Sequence, residues 1–367
     1  MRRTADDRPL GEAEIAAAFT GLQTASHILV AISGGPDSTA LMGTLAEWSG
    51  GGGGPPVSAA TVDHGLRSAS LEEARAVGEL ARKLDVSHAI LTWTGEKVPG
   101  VSQDEARRAR YRLLLAHARE IGATHLVTAH TLDDQAETLL IRLAAGSGLT
   151  GLAGMRREVA RGSVRHVRPF LDLAKARLVA TCRERGWPFV TDPSNSDPGF
   201  SRVRWRRLTP ALAAEGLDAA RLARLAGRLA RADEALDRAA EAAFARAACA
   251  SKAKCTLDLR ALSAEPEEIA LRVLRRALED RSLECDGGSE RTHLRLERLE
   301  ECFDALMRAQ AAGLAIRRTL AGCLLRLDRS GTLTIAEEGV RRRGRREVVT
   351  PIENRDPASL GRGPGAA

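Results

Sequence analysis

Two glycines flanked by serines, with an aspartate close behind, give this chain its best phosphate-holding segment: Ser33-Gly34-Gly35-Pro36-Asp37-Ser38. Glycines admit close backbone approach, and serine hydroxyls donate hydrogen bonds. An apolar run at 28–32 precedes the segment and a helical run at 39–48 follows it. Free N–H groups at that helix start would point at a bound anion. Asp37 inside the loop suits metal-bridged phosphates, because a carboxylate can hold Mg²⁺. No lysine follows the second glycine, so this is not a P-loop of the G-x-x-x-x-G-K-S/T kind.

A second group is His130-Thr131-Leu132-Asp133-Asp134-Gln135-Ala136-Glu137-Thr138. Spacings of three and four put the carboxylates of Asp133, Asp134 and Glu137 on one helix face. One acid suffices to cap a helix, so three crowded acids require a compensating cation, either Mg²⁺ or a substrate ammonium. Arg107 and Arg110 lie three apart near a helix start, a pair able to clamp phosphate and to stabilise charge at a reacting phosphoryl centre. Asp63-His64 closes another apolar run. Arg202-Val203-Arg204-Trp205-Arg206 alternates guanidinium groups with an indole, the composition of an RNA-backbone contact with a stacked base. The competing reading of that segment is a polar linker helix.

These groups need a frame. Apolar runs at 28–32, 57–62, 87–93, 126–129 and 164–170 read as strands, and runs at 39–48, 71–84, 103–121, 132–145 and 174–185 read as helices. Such alternation implies an α/β fold with a doubly wound parallel sheet, Rossmann-like, covered on both faces. In that fold ligands sit at the carboxyl ends of the strands, where Ser33, Asp63 and His130 fall. Ser70 with Glu73, and Ser102 with Glu105, read as capping boxes. The glycine run after Ser49 reads as a flexible connection. The turn-rich Asp192-Pro193-Ser194-Asn195 ends the alternation. The expected domains are a catalytic one over 20–207, a mainly helical one over 208–338 with short strands near 314–316, 324–327 and 333–335, and a basic, disordered tail over 339–367.

The chain has 367 residues and a net charge of +7. Residues 1–199 hold 23 basic and 23 acidic side chains, while residues 200–367 hold 32 and 25. A neutral first half and a basic second half suit a polyanionic partner. The six cysteines show neither C-x-x-C nor zinc-ligand spacing, and no apolar run reaches 18 residues. The expectation is a reduced, cytoplasmic protein with no membrane partner, compatible with a homodimer.

Ser33–Ser38 resembles S-G-G-x-D-S, the pyrophosphate loop of ATP enzymes that cleave between the α- and β-phosphates. The loop, Asp63-His64-Gly65-Leu66-Arg67, Arg107–Tyr111, His130–Thr138, the glycine-rich run at 146–152, Arg168-Pro169-Phe170-Leu171, Asp192-Pro193-Ser194-Asn195 and the arginine segment together resemble the tRNA(Ile)-lysidine synthetase family. The family pattern carries asparagine where Val203 stands. The resemblance implies that ATP adenylates C2 of the wobble cytidine in a CAU-anticodon tRNA(Ile), and that L-lysine then displaces AMP to give lysidine. It implies nucleotide binding by Ser33, Gly34, Gly35, Pro36, Asp37, Ser38, Asp63 and His64, with Mg²⁺ on Asp37. It implies reaction roles for Asp37, Arg110, Asp134 and Glu137. Substrate contacts would come from His130, Asp133, Asp134, Glu137, Arg202, Arg204 and Arg206. The alternatives are a tRNA 2-thiocytidine-type thiolase, which would use paired cysteines, and a non-catalytic adenine-nucleotide-binding protein, which would not need the acids.

Overall fold

The computed structural model describes residues 7–51, 54–63, 70–93, 103–190, 199, 201–249, 255–285 and 294–338. His64, residues 192–195, both capping-box serines' side chains and the tail after 338 lie outside what is described. Two compact units divide between Ala239 and Ala240.

The first unit begins with α1 (Glu12–Phe19) and then alternates: β1 (Ile28–Ala31), α2 (Pro36–Gly50), β2 (Val57–Asp63), α3 (Ser70–Lys83), β3 (Ser87–Thr92), α4 (Gln103–Glu120), β4 (His125–Val127), α5 (Leu132–Ala144), α6 (Leu149–Leu152), β5 (Glu158–Arg161), β6 (Val164–Val167) and α7 (Lys175–Glu184). The sheet order is β3-β2-β1-β4-β6-β5. All pairings are parallel except β5 with β6, a hairpin at the edge. The central strands β1 and β4 are buried on both sides, while the edge strands β3 and β5 are partly exposed. Ile28 and Val30 of β1 face one cluster with Leu41, Leu45 and Phe170, while Leu29 faces another with Leu114 and Leu126. That two-sided burial is why these strands read as continuous apolar runs.

The element carrying the phosphate loop, α2, is held by close packing. Gly43 of α2 lies against Trp187, and a Cβ at that position would sit 2.4 Å from the indole. Gly43→Ala forgoes the helix gain of up to ~1 kcal/mol expected of that change. A net loss of about 1–3 kcal/mol is expected instead, because the buried indole must move. Urea unfolding measures this, and a variant as stable as the parent contradicts the packing.

Helix α8 (Ser201–Ala214) belongs to the first unit, as does most of α9 (Ala219–Ala247). The unit edge therefore falls inside α9, later than the expected 207. The reason is apolar: Trp205 of α8 and Leu222 and Ala226 of α9 pack on Ala136, Leu139 and Leu140 of α5. In the second unit the helical pattern is interrupted by β7 (Ala248–Cys249) and β8 (Cys255–Asp258). Then follow α10 (Leu259–Ser263), α11 (Glu267–Cys285), α12 (Leu296–Ala311), β9 (Ile316–Leu320), β10 (Cys323–Leu327) and β11 (Thr332–Glu337). Its sheet has the order β7-β8-β11-β10-β9, antiparallel throughout. No helix among the described residues is long and apolar enough to cross a membrane.

Candidate active site

Strand β1 has neighbours from both directions of the chain, β2 on one side and β4 on the other. Such a switch point leaves a crevice beyond the strand ends. A cavity of 210 Å³ lies there, walled by Ser33, Gly35, Asp37 and Ser38, by Arg107 and Arg110 of α4, and by Thr128 and His130. Its apolar part is Ala31, Ala60, Val62 and Leu114.

The loop is shaped by Gly34, whose φ of 82° favours glycine. Ser33 N–H donates to Ser38 Oγ at 3.2 Å, and Ser38 Oγ donates to the Gly35 carbonyl at 3.1 Å, which closes the turn. Gly35 begins α2 with no side-chain cap, and Pro36 opens the helix. The first-turn N–H groups of α2 are thus left for a ligand.

Asp37 stands in that first turn. One carboxylate oxygen accepts from Lys175 Nζ at 2.5 Å, while Oδ1 is buried without a hydrogen-bond partner. Burial pushes the Asp37 carboxyl above its usual range, and Lys175 opposes the shift. Sequence reasoning missed Lys175, which opens α7 and lies 138 residues from its partner.

The acids of α5 serve separate ends. Thr131 is the N-cap, and Asp134 Oδ2 accepts from its backbone N–H at 2.9 Å and from its hydroxyl at 2.8 Å. Asp133 Oδ2 accepts from the backbone N–H of Lys175 at 2.8 Å and so fixes the start of α7. Glu137, almost fully buried, accepts two hydrogen bonds from Arg206, at 2.5 and 3.2 Å. Arg202 and Arg206 both lie within 4 Å of Asp134 Oδ1. The crowded acids are therefore compensated within the protein by arginines, where the sequence suggested a metal or a substrate cation. The carboxyl of Glu137 is raised by burial despite Arg206. That of Asp134 is lowered: burial raises it, and the Thr131 backbone hydrogen bond and nearby charges outweigh the burial.

The intervening motif residues are structural. Gln135 makes a two-way clamp with the Met155 backbone, at 3.0 and 2.7 Å. Arg142 donates to the carbonyls of Gly151 and Gly154. The glycine-rich run thereby folds back on α5.

Arg204 stands apart from Arg202 and Arg206. It is exposed and donates to the Gly199 carbonyl at 2.9 Å. A helix explains the split, since positions 202 and 206 share a face and 204 lies round from it. Asp63 ends β2, two strands from β4. Arg110 is open to the cavity side, and partial desolvation lowers its basicity while a guanidinium stays charged.

Residues 11–212 match the family model described as a PP-loop domain. Among curated proteins, the tRNA(Ile)-lysidine synthase of Methylobacterium nodulans is 52% identical over 92% of this chain and 98% of its own. That of Methylobacterium sp. is 53% identical over 88% and 92%, and that of Rhodopseudomonas palustris is 43% identical over 93% and 98%. A solved structure, the U34-tRNA thiolase NcsA from Methanococcus maripaludis, superposes with a TM-score of 0.52 at 16% identity, covering 60% of this chain and 77% of that one. At that identity the likeness concerns the fold alone.

Proposed function

Because the chain belongs to the tRNA(Ile)-lysidine synthase family, whose members match it over nearly their whole length, we propose that it joins L-lysine to C2 of the wobble cytidine of a CAU-anticodon tRNA(Ile) at the expense of ATP. The cytosine C2 oxygen is a poor leaving group. In the proposed first step it attacks the α-phosphorus of ATP, pyrophosphate departs, and C2 then carries a good leaving group, AMP. In the second step the ε-amino group of lysine forms the C2–N bond, AMP leaves, and the amine gives up its proton.

The observation that carries this reading is the convergence on one cavity of an uncapped helix start, two arginines and His130, the residue two before the start of the acid-bearing α5. The Ser33–Ser38 loop would take the pyrophosphate. Arg107 and Arg110 would offset charge at the α-phosphorus. The apolar patch of Ala31, Ala60 and Val62 suits a planar base. Asp134 and Glu137 would hold the amino acid beside the reacting carbon, sharing their charge with Arg202 and Arg206.

The unpartnered Oδ1 of Asp37 fits a magnesium ion, which binds through one or two carboxylates plus substrate phosphates. Bound there, the ion would neutralise phosphate charge. Lys175 holds the other oxygen and aims the carboxylate.

Among the described residues, the cysteine beside the phosphate loop does not support the thiolase reading. Cys182 is buried, donates to the Pro36 carbonyl, and its thiol is pushed up to about 12 by burial, the reverse of a sulfur nucleophile. Labelled lysine, ATP and a CAU-anticodon transcript test the reading. Label should pass to the RNA only with ATP present, and a product that depends on sulfide rather than lysine would overturn it.

Arg204, turned away from the acids, is proposed to meet the tRNA backbone. Arg204→Ala should weaken tRNA binding, lower the salt slope by about one unit and leave ATP binding unchanged. Filter binding across salt concentrations checks this, and an unchanged slope removes Arg204 from the RNA contact.

A further inference from the structure

A chain of side chains runs behind the cavity from β6 to His130. Arg168 follows β6 directly, and one of its amino groups donates to the Arg156 carbonyl at 2.6 Å. The other lies 3.2 Å from His166 Nδ1. His166 Nε2 lies 2.9 Å from Thr128 Oγ1, which in turn lies 2.8 Å from His130 Nδ1.

The proton positions follow from donor chemistry. A guanidinium only donates, so His166 Nδ1 accepts. A neutral imidazole then carries its proton on Nε2 and donates it to Thr128 Oγ1. The single hydroxyl proton of Thr128 is left for His130 Nδ1. The Thr128 oxygen has a second lone pair, but of the two side-chain groups within hydrogen-bond distance of it only His130 Nδ1 can take the hydroxyl proton, so His130 Nδ1 accepts and its own proton sits on Nε2. Both rings are neutral: burial holds the pKa of fully buried His166 down to about 2 and that of His130 down to about 3.

We propose that Arg168, His166 and Thr128 are positioning residues that lock His130 as the Nε2–H tautomer, making it a fixed hydrogen-bond donor to an anionic oxygen in the cavity and not a base. The cavity carries donors on its other walls too, Ser33, Ser38, Arg107 and Arg110, so its polar lining is matched to phosphoryl oxygen. The identification of that oxygen as one of ATP rests on the lysidine synthase reading; the tautomer does not. Histidine is thereby excluded as the group that takes the proton from the lysine amine at this wall.

The test is a two-bond ¹H–¹⁵N spectrum of the full-length, ¹⁵N-histidine-labelled protein without substrate, with His130 assigned by the signals lost in His130→Gln. A pyridine-type Nδ1 and a pyrrole-type Nε2 are expected, and the opposite assignment or an averaged pair overturns the proposal. Thr128→Val should release His130 into a tautomer mixture and lower kcat/KM for ATP about tenfold, the cost of one weakened hydrogen bond. Thr128→Ser, which keeps the hydroxyl, should restore both. A His130 tautomer unmoved in Thr128→Val overturns the relay even if activity falls. Should the protein prove inactive on tRNA while the locked tautomer is found, the functional reading fails and the relay stands.

Discussion

Asp37→Ala is expected to lower the rate of pyrophosphate release from ATP by about two to three orders of magnitude, the scale seen when a group that stabilises charge in a transition state is removed. The substitution removes the buried carboxylate oxygen that faces the loop without a partner, and it also strands Lys175 Nζ. Asp37→Asn separates the two effects, since an amide keeps the shape and one acceptor but loses the charge. It should fail nearly as badly as alanine. Because Asp37 sits in the first turn of α2, where its side chain makes no cap, folding should survive. Circular dichroism confirms the fold, and pyrophosphate release measures the chemistry. Turnover within a few-fold of the parent would contradict the assignment.

Arg206→Ala should destabilise the protein by about 1–3 kcal/mol near neutral pH, because it leaves Glu137 desolvated and unpaired. The figure is held below that of a fully buried pair because the Arg206 side chain is 36% exposed. The effect has a pH signature. Burial already raises the Glu137 carboxyl, and losing Arg206 removes the main opposing influence. The folded variant then binds a proton more tightly than the unfolded chain does. Its deficit should shrink as the pH falls through the raised value and grow as the pH rises. The double variant Glu137→Gln, Arg206→Ala should recover much of the loss, since position 137 then carries no unpaired buried charge and Asp134 keeps Arg202. Urea unfolding at several pH values reads all three proteins, and a pH-independent deficit would contradict the pairing. Lysine transfer should fall in Arg206→Ala and in the double variant, as each disturbs the acidic wall.

The local signals in the chain were legible where chemistry and geometry coincide within a few residues. The phosphate loop, the strands flanking it and the acid-bearing start of α5 all follow from adjacent residue types. What escaped depends on long-range contacts. Lys175 has no motif around it, and only the packing of α7 beside α2 brings it to Asp37. The arginine segment looked like an RNA contact of alternating arginines around a tryptophan. Once it forms α8, the helical period gathers Arg202 and Arg206 toward Asp134 and Glu137 and leaves Arg204 outside. Packing of Trp205 on α5 decides that orientation. The β5–β6 hairpin was half visible: Gly162, at φ 66°, turns between two short runs of alternating character. The strands β7 and β8 were hidden because they are only two and four residues long, too short to show an alternation. His166 and Thr128 gave no signal at all, since their importance lies in a chain of hydrogen bonds joining neighbouring strands.

The most direct test of the central claim, that one cavity activates the cytidine and then receives the lysine, is the mass of the wobble nucleoside after two sequential incubations. A CAU-anticodon transcript with protein, ATP and magnesium, but no lysine, should yield adenylated cytidine, and adding lysine should convert it to lysidine with AMP released. Cytidine left unmodified in both incubations, or a sulfur-bearing nucleoside in its place, would contradict the account.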